Sequence, residues 1–151
     1  MAGKISRRDF IKRSAVGAVI GGAVISGLNL DVFSAQSSKK AVFTRTGDDL
    51  LVKISDNPAL GAVGGAVNVA DDIMLIRTDE STFIAVSTIC KHKGCTVELE
   101  GDKFVCPCHG SEYTREGKVT QGPSKADLKT FETMFDSKSG QITIKNTTPD
   151  K

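Results

Sequence analysis

The chain has 151 residues and a mass of 16.0 kDa, the size of a single ordinary domain. With 39% hydrophobic and 25% charged residues it can bury a modest core, which excludes a chain disordered by composition. Trp is absent, Tyr occurs once and the net charge is only +2, so neither a base-stacking platform nor a nucleic-acid partner is expected.

Charge is unevenly spread along the chain. Residues 1–35 carry five Lys or Arg against Asp9 and Asp31, while the remainder holds 15 basic and 16 acidic side chains. The opening Ser6-Arg7-Arg8-Asp9-Phe10-Ile11-Lys12-Arg13 precedes 17 uncharged residues, Ser14 to Leu30. A basic flank before a short apolar run is the layout of an export signal. The paired arginines with Phe10-Ile11-Lys12 resemble a twin-arginine (Tat) signal, a type that carries folded proteins across a membrane. Seventeen helical residues rise roughly 26 Å against a hydrocarbon core of ~30 Å, so two fates follow: cleavage after Ser34, or retention as an anchor. The expected division is a signal or anchor over 1–35, a polar linker over 36–40 and one domain over 41–147. The product is placed in the periplasm or held on the membrane facing it.

From Ala41 onward the apolar runs are short and separated by turn residues, which predicts an all-β domain of stacked small antiparallel sheets. Leu50 to Ile54 reads as a strand, and Pro58-Ala59-Leu60 before Gly61 as one helical turn. Ala66 to Val69 follows Gly64-Gly65 as a further extended run. Ile73 to Ile76 and Phe83 to Val86 flank Thr78-Asp79-Glu80-Ser81 as a hairpin of two well-buried strands. Lys103 to Val105 is a brief strand. Leu128 to Met134 and Gln141 to Lys145 straddle Ser137-Lys138-Ser139-Gly140 as a second hairpin, whose Ile142/Ile144 alternation predicts a half-buried edge.

All four cysteines and both histidines of the chain fall between Cys90 and His109. One loop reads Cys90-Lys91-His92-Lys93-Gly94-Cys95 and the other Cys106-Pro107-Cys108-His109-Gly110-Ser111-Glu112-Tyr113. Thiolate and imidazole together suit zinc or the iron of an iron–sulfur centre. Zinc knuckles usually draw ligands from cysteines two to four residues apart, whereas the first pair here is Cys-x-His. One Cys and one His from each loop give a Cys₂His₂ set.

These boxes, Cys-x-His-x-Gly-Cys and Cys-Pro-Cys-His-Gly-Ser-x-Tyr, resemble those of the Rieske iron–sulfur proteins, and the likeness extends more weakly over roughly residues 48–145. The resemblance implies a stacked-sheet fold with a small cluster-binding subdomain and a [2Fe-2S] cluster. It places Cys90 and Cys106 on one iron and His92 and His109 on the other, with a Cys95–Cys108 disulfide between the loops. That bond marks the respiratory type and suits an oxidising compartment. By the same resemblance Ser111 donates to a bridging sulfide and Tyr113 to the Cys90 sulfur, which raises the potential. Rieske centres span about −150 to +300 mV, and this one is expected in the upper half. Gly122-Pro123-Ser124 resembles the loop that lids the cluster from a third side. Gly94 and Gly110 are expected to allow close backbone approach.

The reading that follows is an exported, high-potential electron-transfer protein with no substrate domain of its own. Two relatives of that reading are an anchored Rieske subunit of a quinol:cytochrome c oxidoreductase and the small subunit of an arsenite-oxidase-like molybdoenzyme. The partner is accordingly a redox protein, a cytochrome b or c or a molybdoenzyme, with quinol as a further candidate. Lys93 stands where quinol-oxidising members commonly carry leucine, and with Lys91 it suits an acidic protein better than an apolar quinol pocket.

Overall fold

The structure, a computed structural model, describes residues 40–145 and 147. The signal expected over 1–35 and all of the linker except Lys40 lie outside the described residues. In chain order the strands are β1 (Phe43–Thr46), β2 (Asp49–Lys53), β3 (Ala66–Ala70), β4 (Ile73–Arg77), β5 (Phe83–Ser87) and β6 (Glu98–Glu100). They continue with β7 (Lys103–Val105), β8 (Glu112–Thr114), β9 (Val119–Gln121), β10 (Thr130–Phe131), β11 (Thr133–Asp136) and β12 (Gln141–Ile144). The one helical segment among the described residues is a single 3-10 turn, Pro58–Gly61, at the expected place. Proline presets its first backbone angle, and buried Asn57 anchors its entrance. The Asn57 carboxamide accepts from the Val42 amide and donates to the carbonyls of Val42 and Lys53, at 2.8–2.9 Å.

Three antiparallel four-stranded sheets result, ordered β1-β2-β12-β11, β10-β5-β4-β3 and β6-β7-β8-β9. The second sheet is the middle layer, because β4 is buried on both faces. Side chains alternate across a strand. Ile73 and Leu75 therefore enter one core with Leu50, Val52, Ile142 and Ile144 of the first sheet, while Met74 and Ile76 enter another. That second core also contains Phe104, Tyr113, Cys90 and Cys106. The continuous apolar run Ile73 to Ile76 is what a two-sided strand requires, and the predicted β4–β5 hairpin forms in register, Ile73 opposite Ser87 and Ile76 opposite Ile84.

Two expectations fail, both for tertiary reasons. Leu128 to Met134 is not one strand: β10 pairs with β5 in the middle sheet, and after Glu132 the chain crosses to the first sheet, where β11 pairs with β12. Nor is β12 an edge. It lies between β2 and β11, with Ile142 and Ile144 fully buried on one face and Gln141 and Thr143 half-buried on the other. The half-buried alternation reports a face, not a position at the rim.

Candidate metal centre

The two cysteine loops connect β5 to β6 and β7 to β8, and they share one backbone frame. In the first, the Cys90 amide donates to the Cys95 carbonyl at 2.8 Å and the Gly94 amide to the Cys90 carbonyl at 2.9 Å. In the second, the Cys106 amide donates to the Ser111 carbonyl at 2.8 Å and the Gly110 amide to the Cys106 carbonyl at 2.9 Å. Gly94 and Gly110 take φ of 73° and 72° at equivalent corners. A Cβ at either would meet no protein atom within 4 Å, so what the fold itself requires there is the left-handed backbone. Each frame turns a cysteine inward at its first position, and both Cys90 and Cys106 are buried free thiols.

Cys95 and Cys108 form a disulfide that staples the loops together. The sulfurs of Cys95, Cys106 and Cys108 lie within 4.8 Å of one another, but two of the three share that bond and offer no thiolate while it stands. The imidazoles of His92 and His109 meet edge to face, their centroids 4.8 Å apart. His109 is exposed, His92 half-buried, and His92 Nδ1 is buried with no hydrogen-bond partner.

Around the thiols the hydroxyl groups are ordered. The Tyr113 hydroxyl, on a wholly buried ring, lies 3.1 Å from Cys90 Sγ, and with Cys90 ionised it is the donor. Burial pushes the Cys90 thiol up, yet hydrogen bonds from the Tyr113 hydroxyl, the His92 amide, Cys106 and Ser111 outweigh it and hold Cys90 below its ordinary value. Burial, then the bond to Cys90, pushes the Tyr113 hydroxyl up, so it stays protonated and able to donate.

The Gly122-Pro123-Ser124 loop packs on the second box. The Ser124 amide donates to Ser111 Oγ at 3.0 Å and the Gln121 side chain to the Gly110 carbonyl at 3.2 Å, with Gly122-Pro123 in the cis form. Because the Ser111 oxygen accepts from Ser124, its own hydrogen is directed elsewhere. Sequence reasoning quoted Ser124 but missed this contact, and it missed Arg115 altogether. The Arg115 guanidinium reaches from the β8–β9 turn to the Gly64 carbonyl at 2.6 Å, tying the cysteine-bearing sheet to the segment before β3. A lone arginine in a turn carries no signal that could have found it.

The Rieske [2Fe-2S] domain model matches residues 43–132, more than half of the chain. The chain belongs to the Rieske family. Members bind a [2Fe-2S] cluster through this domain. Among curated proteins, the chain is 36% identical over 76 residues to the cytochrome b6-f complex iron-sulfur subunit of Chlorobaculum tepidum, covering 49% of this chain and 41% of that one. It is 40% identical over 72 residues to the ubiquinol-cytochrome c reductase iron-sulfur subunit of Bradyrhizobium diazoefficiens, covering 42% and 41%. The matched stretch spans less than half the length of these relatives. Among solved structures, the plasma membrane Rieske protein of Synechocystis PCC 6803 is 36% identical, with a TM-score of 0.44 over 48% of this chain and 75% of that one.

The donor set of this chain fits the family's cluster. Two buried thiols without a disulfide partner, one held below its ordinary value, lie in stapled loops with two imidazoles. A buried imidazole nitrogen left without a partner is an expensive arrangement unless something binds it.

Proposed function

We propose that this chain is an exported electron-transfer protein whose [2Fe-2S] cluster is held by Cys90 and Cys106 on one iron and His92 and His109 on the other. The observation that carries the ligand set is the unpartnered, buried His92 Nδ1 beside His109, in loops that also turn the Cys90 and Cys106 thiols inward. When bound, such a cluster supplies one-electron redox chemistry at modest reorganisation. The residues do the rest. Tyr113 and Ser111 both donate toward the Cys90 sulfur, and donors to sulfur favour the more negative, reduced charge state. The disulfide staples the two loops and the Gly122-Pro123 segment packs on the second, while His109 keeps an exposed edge through which an electron leaves or enters.

The domain division accompanies this reading: a twin-arginine signal over 1–35, a linker over 36–40 and the cluster domain over 41–147, working in the periplasm or anchored facing it. A second reading, a Rieske subunit in a quinol:cytochrome c oxidoreductase, is favoured by the names of the curated relatives; Lys93 in place of leucine counts against it. The test is iron and acid-labile sulfide analysis of the full chain with EPR during a redox titration. Two irons per chain and a Rieske-type signal with a high midpoint are expected. Bound zinc, or iron with no such signal on reduction, overturns the assignment.

A further inference from the structure

The loops at the head of the domain differ in charge from everything behind them. Residues 90–95, 106–111 and 122–126 contain Lys91, Lys93 and Lys125 and no Asp or Glu, and all three lysines are exposed. Residues 40–145 hold 13 basic against 15 acidic side chains, net −2, so the part outside these loops has ten against fifteen, net −5. The head is thus a +3 pole on a −5 body. The next acid along the chain, Asp127, is drawn back toward β9: its carboxylate accepts from the Val119 amide at 2.8 Å and pairs with Lys118 at 3.6 Å. Beside the lysines these loops expose Pro107, Pro123 and His109.

We infer that this basic head is the docking surface for an acidic redox protein, one that presents Asp and Glu side chains around its own electron-transfer centre. The inference rests on the electron-carrier reading above and narrows it to a class of partner. Lys93 neighbours His92, so an apolar pocket closing over that histidine would strip an ammonium of water without pairing it, which is strongly unfavourable. An acidic face pairs the same ammonium while leaving it at a wet rim, where charges act mainly on encounter rate. The separation of the poles adds orientation: a negatively charged partner is repelled by the body and drawn to the end where the histidines lie.

The experiment is stopped-flow oxidation of the reduced, cluster-loaded full chain by two small reagents, hexacyanoferrate(III), an anion, and tris(phenanthroline)cobalt(III), a cation. From low to high salt the anion's rate is expected to fall about tenfold, the low end of electrostatic steering, and the cation's rate to rise. Lys91→Glu with Lys93→Glu should reverse both slopes. Lys53→Glu with Lys138→Glu changes the net charge equally at exposed sites, one on β2 and one in the β11–β12 turn, and it should leave both slopes nearly as they were. Poly-L-glutamate, standing in for an acidic protein face, should slow the anion's reaction, an effect the head variant loses. Equal shifts from the two double variants would mean that net charge governs and would overturn the proposal. A chain that shows no Rieske-type EPR signal removes the electron-carrier reading itself, so the two failures are told apart before any rate is measured.

Discussion

The two cores on either side of the middle sheet are built from different materials. The core between the first and second sheets is hydrocarbon throughout, with Leu50, Val52, Leu75, Ile142 and Ile144 wholly buried. The core on the other face of β4 mixes Ile76 and Phe104 with two thiols and a tyrosine hydroxyl. The first needs nothing beyond its own side chains. The second contains donors whose satisfaction depends on one another and on what the loops hold, so stability and function are divided between the faces of one strand.

That division can be broken from either side. The largest effect is expected from Cys90→Ser, which should abolish the Rieske EPR signal while far-UV circular dichroism keeps the β signature; a variant retaining the signal would contradict the ligand assignment. Leu75→Ala should do the converse, lowering the free energy of unfolding by about 2–5 kcal/mol with an unchanged EPR spectrum. A denaturation midpoint equal to that of the parent would place Leu75 outside the load of the first core. Removing the staple with Cys95→Ala and Cys108→Ala should cost about 3 kcal/mol on the chain-entropy account for a loop of this length. Its signature is local: the Gly94 and Gly110 amides should exchange faster with solvent while those of β4 and β12 hold. Equal loss everywhere would show that the disulfide supports the whole fold.

Tyr113→Phe keeps the ring and removes the donor. A hydrogen bond to a charged group is worth about 1.5–3 kcal/mol, which for one electron at 59 mV per tenfold corresponds to a fall in midpoint of roughly 60–130 mV. Ser111→Ala should lower it in the same direction, and an unmoved potential in either would deny that hydroxyl its role. The smallest effect belongs to Asp136, the last residue of β11 and far from the chemistry. The Ser139 hydroxyl at 2.6 Å and the Lys138 amide at 3.0 Å hold its carboxyl below the ordinary carboxylate value. Its contribution is therefore complete above the unfolded-state value and is lost as pH falls through the depressed folded-state value. Asp136→Asn should be slightly less stable at neutral pH and indistinguishable in strong acid, measured by urea denaturation at both; a constant gap would mean the carboxylate's charge is irrelevant.

Much of the architecture was legible because it is written locally. β4 and β5 declare themselves as apolar runs around a polar turn, and the proline-led helical turn at 58–61 forms where its residues suggest. The cysteine boxes are legible for a different reason: four thiols and two imidazoles within twenty residues serve no packing purpose. What escaped depends on distant partners. β1, β6, β8 and β9 have three or four residues each, too few for a period, and their strand character comes from pairing. The crossing at Glu132 and the central place of β12 are likewise decided by β5 and β2, far earlier in the chain. The link from Ser124 to Ser111 depends on a backbone amide, which no side-chain pattern encodes.

The position of β12 also sets an order of events. Ile144 pairs with Leu50 and Ile142 with Val52, so the first sheet cannot close until synthesis has passed Ile144. Contacts this distant are slow to form. Both cysteine loops and the Gly122-Pro123 turn lie between those partners, and they leave the ribosome while the hydrocarbon core is still open. The part of the molecule that holds the chemistry is thus made before the part that holds the molecule shut, and a ribosome stalled short of Gln141 would carry complete loops on a domain lacking its central strand.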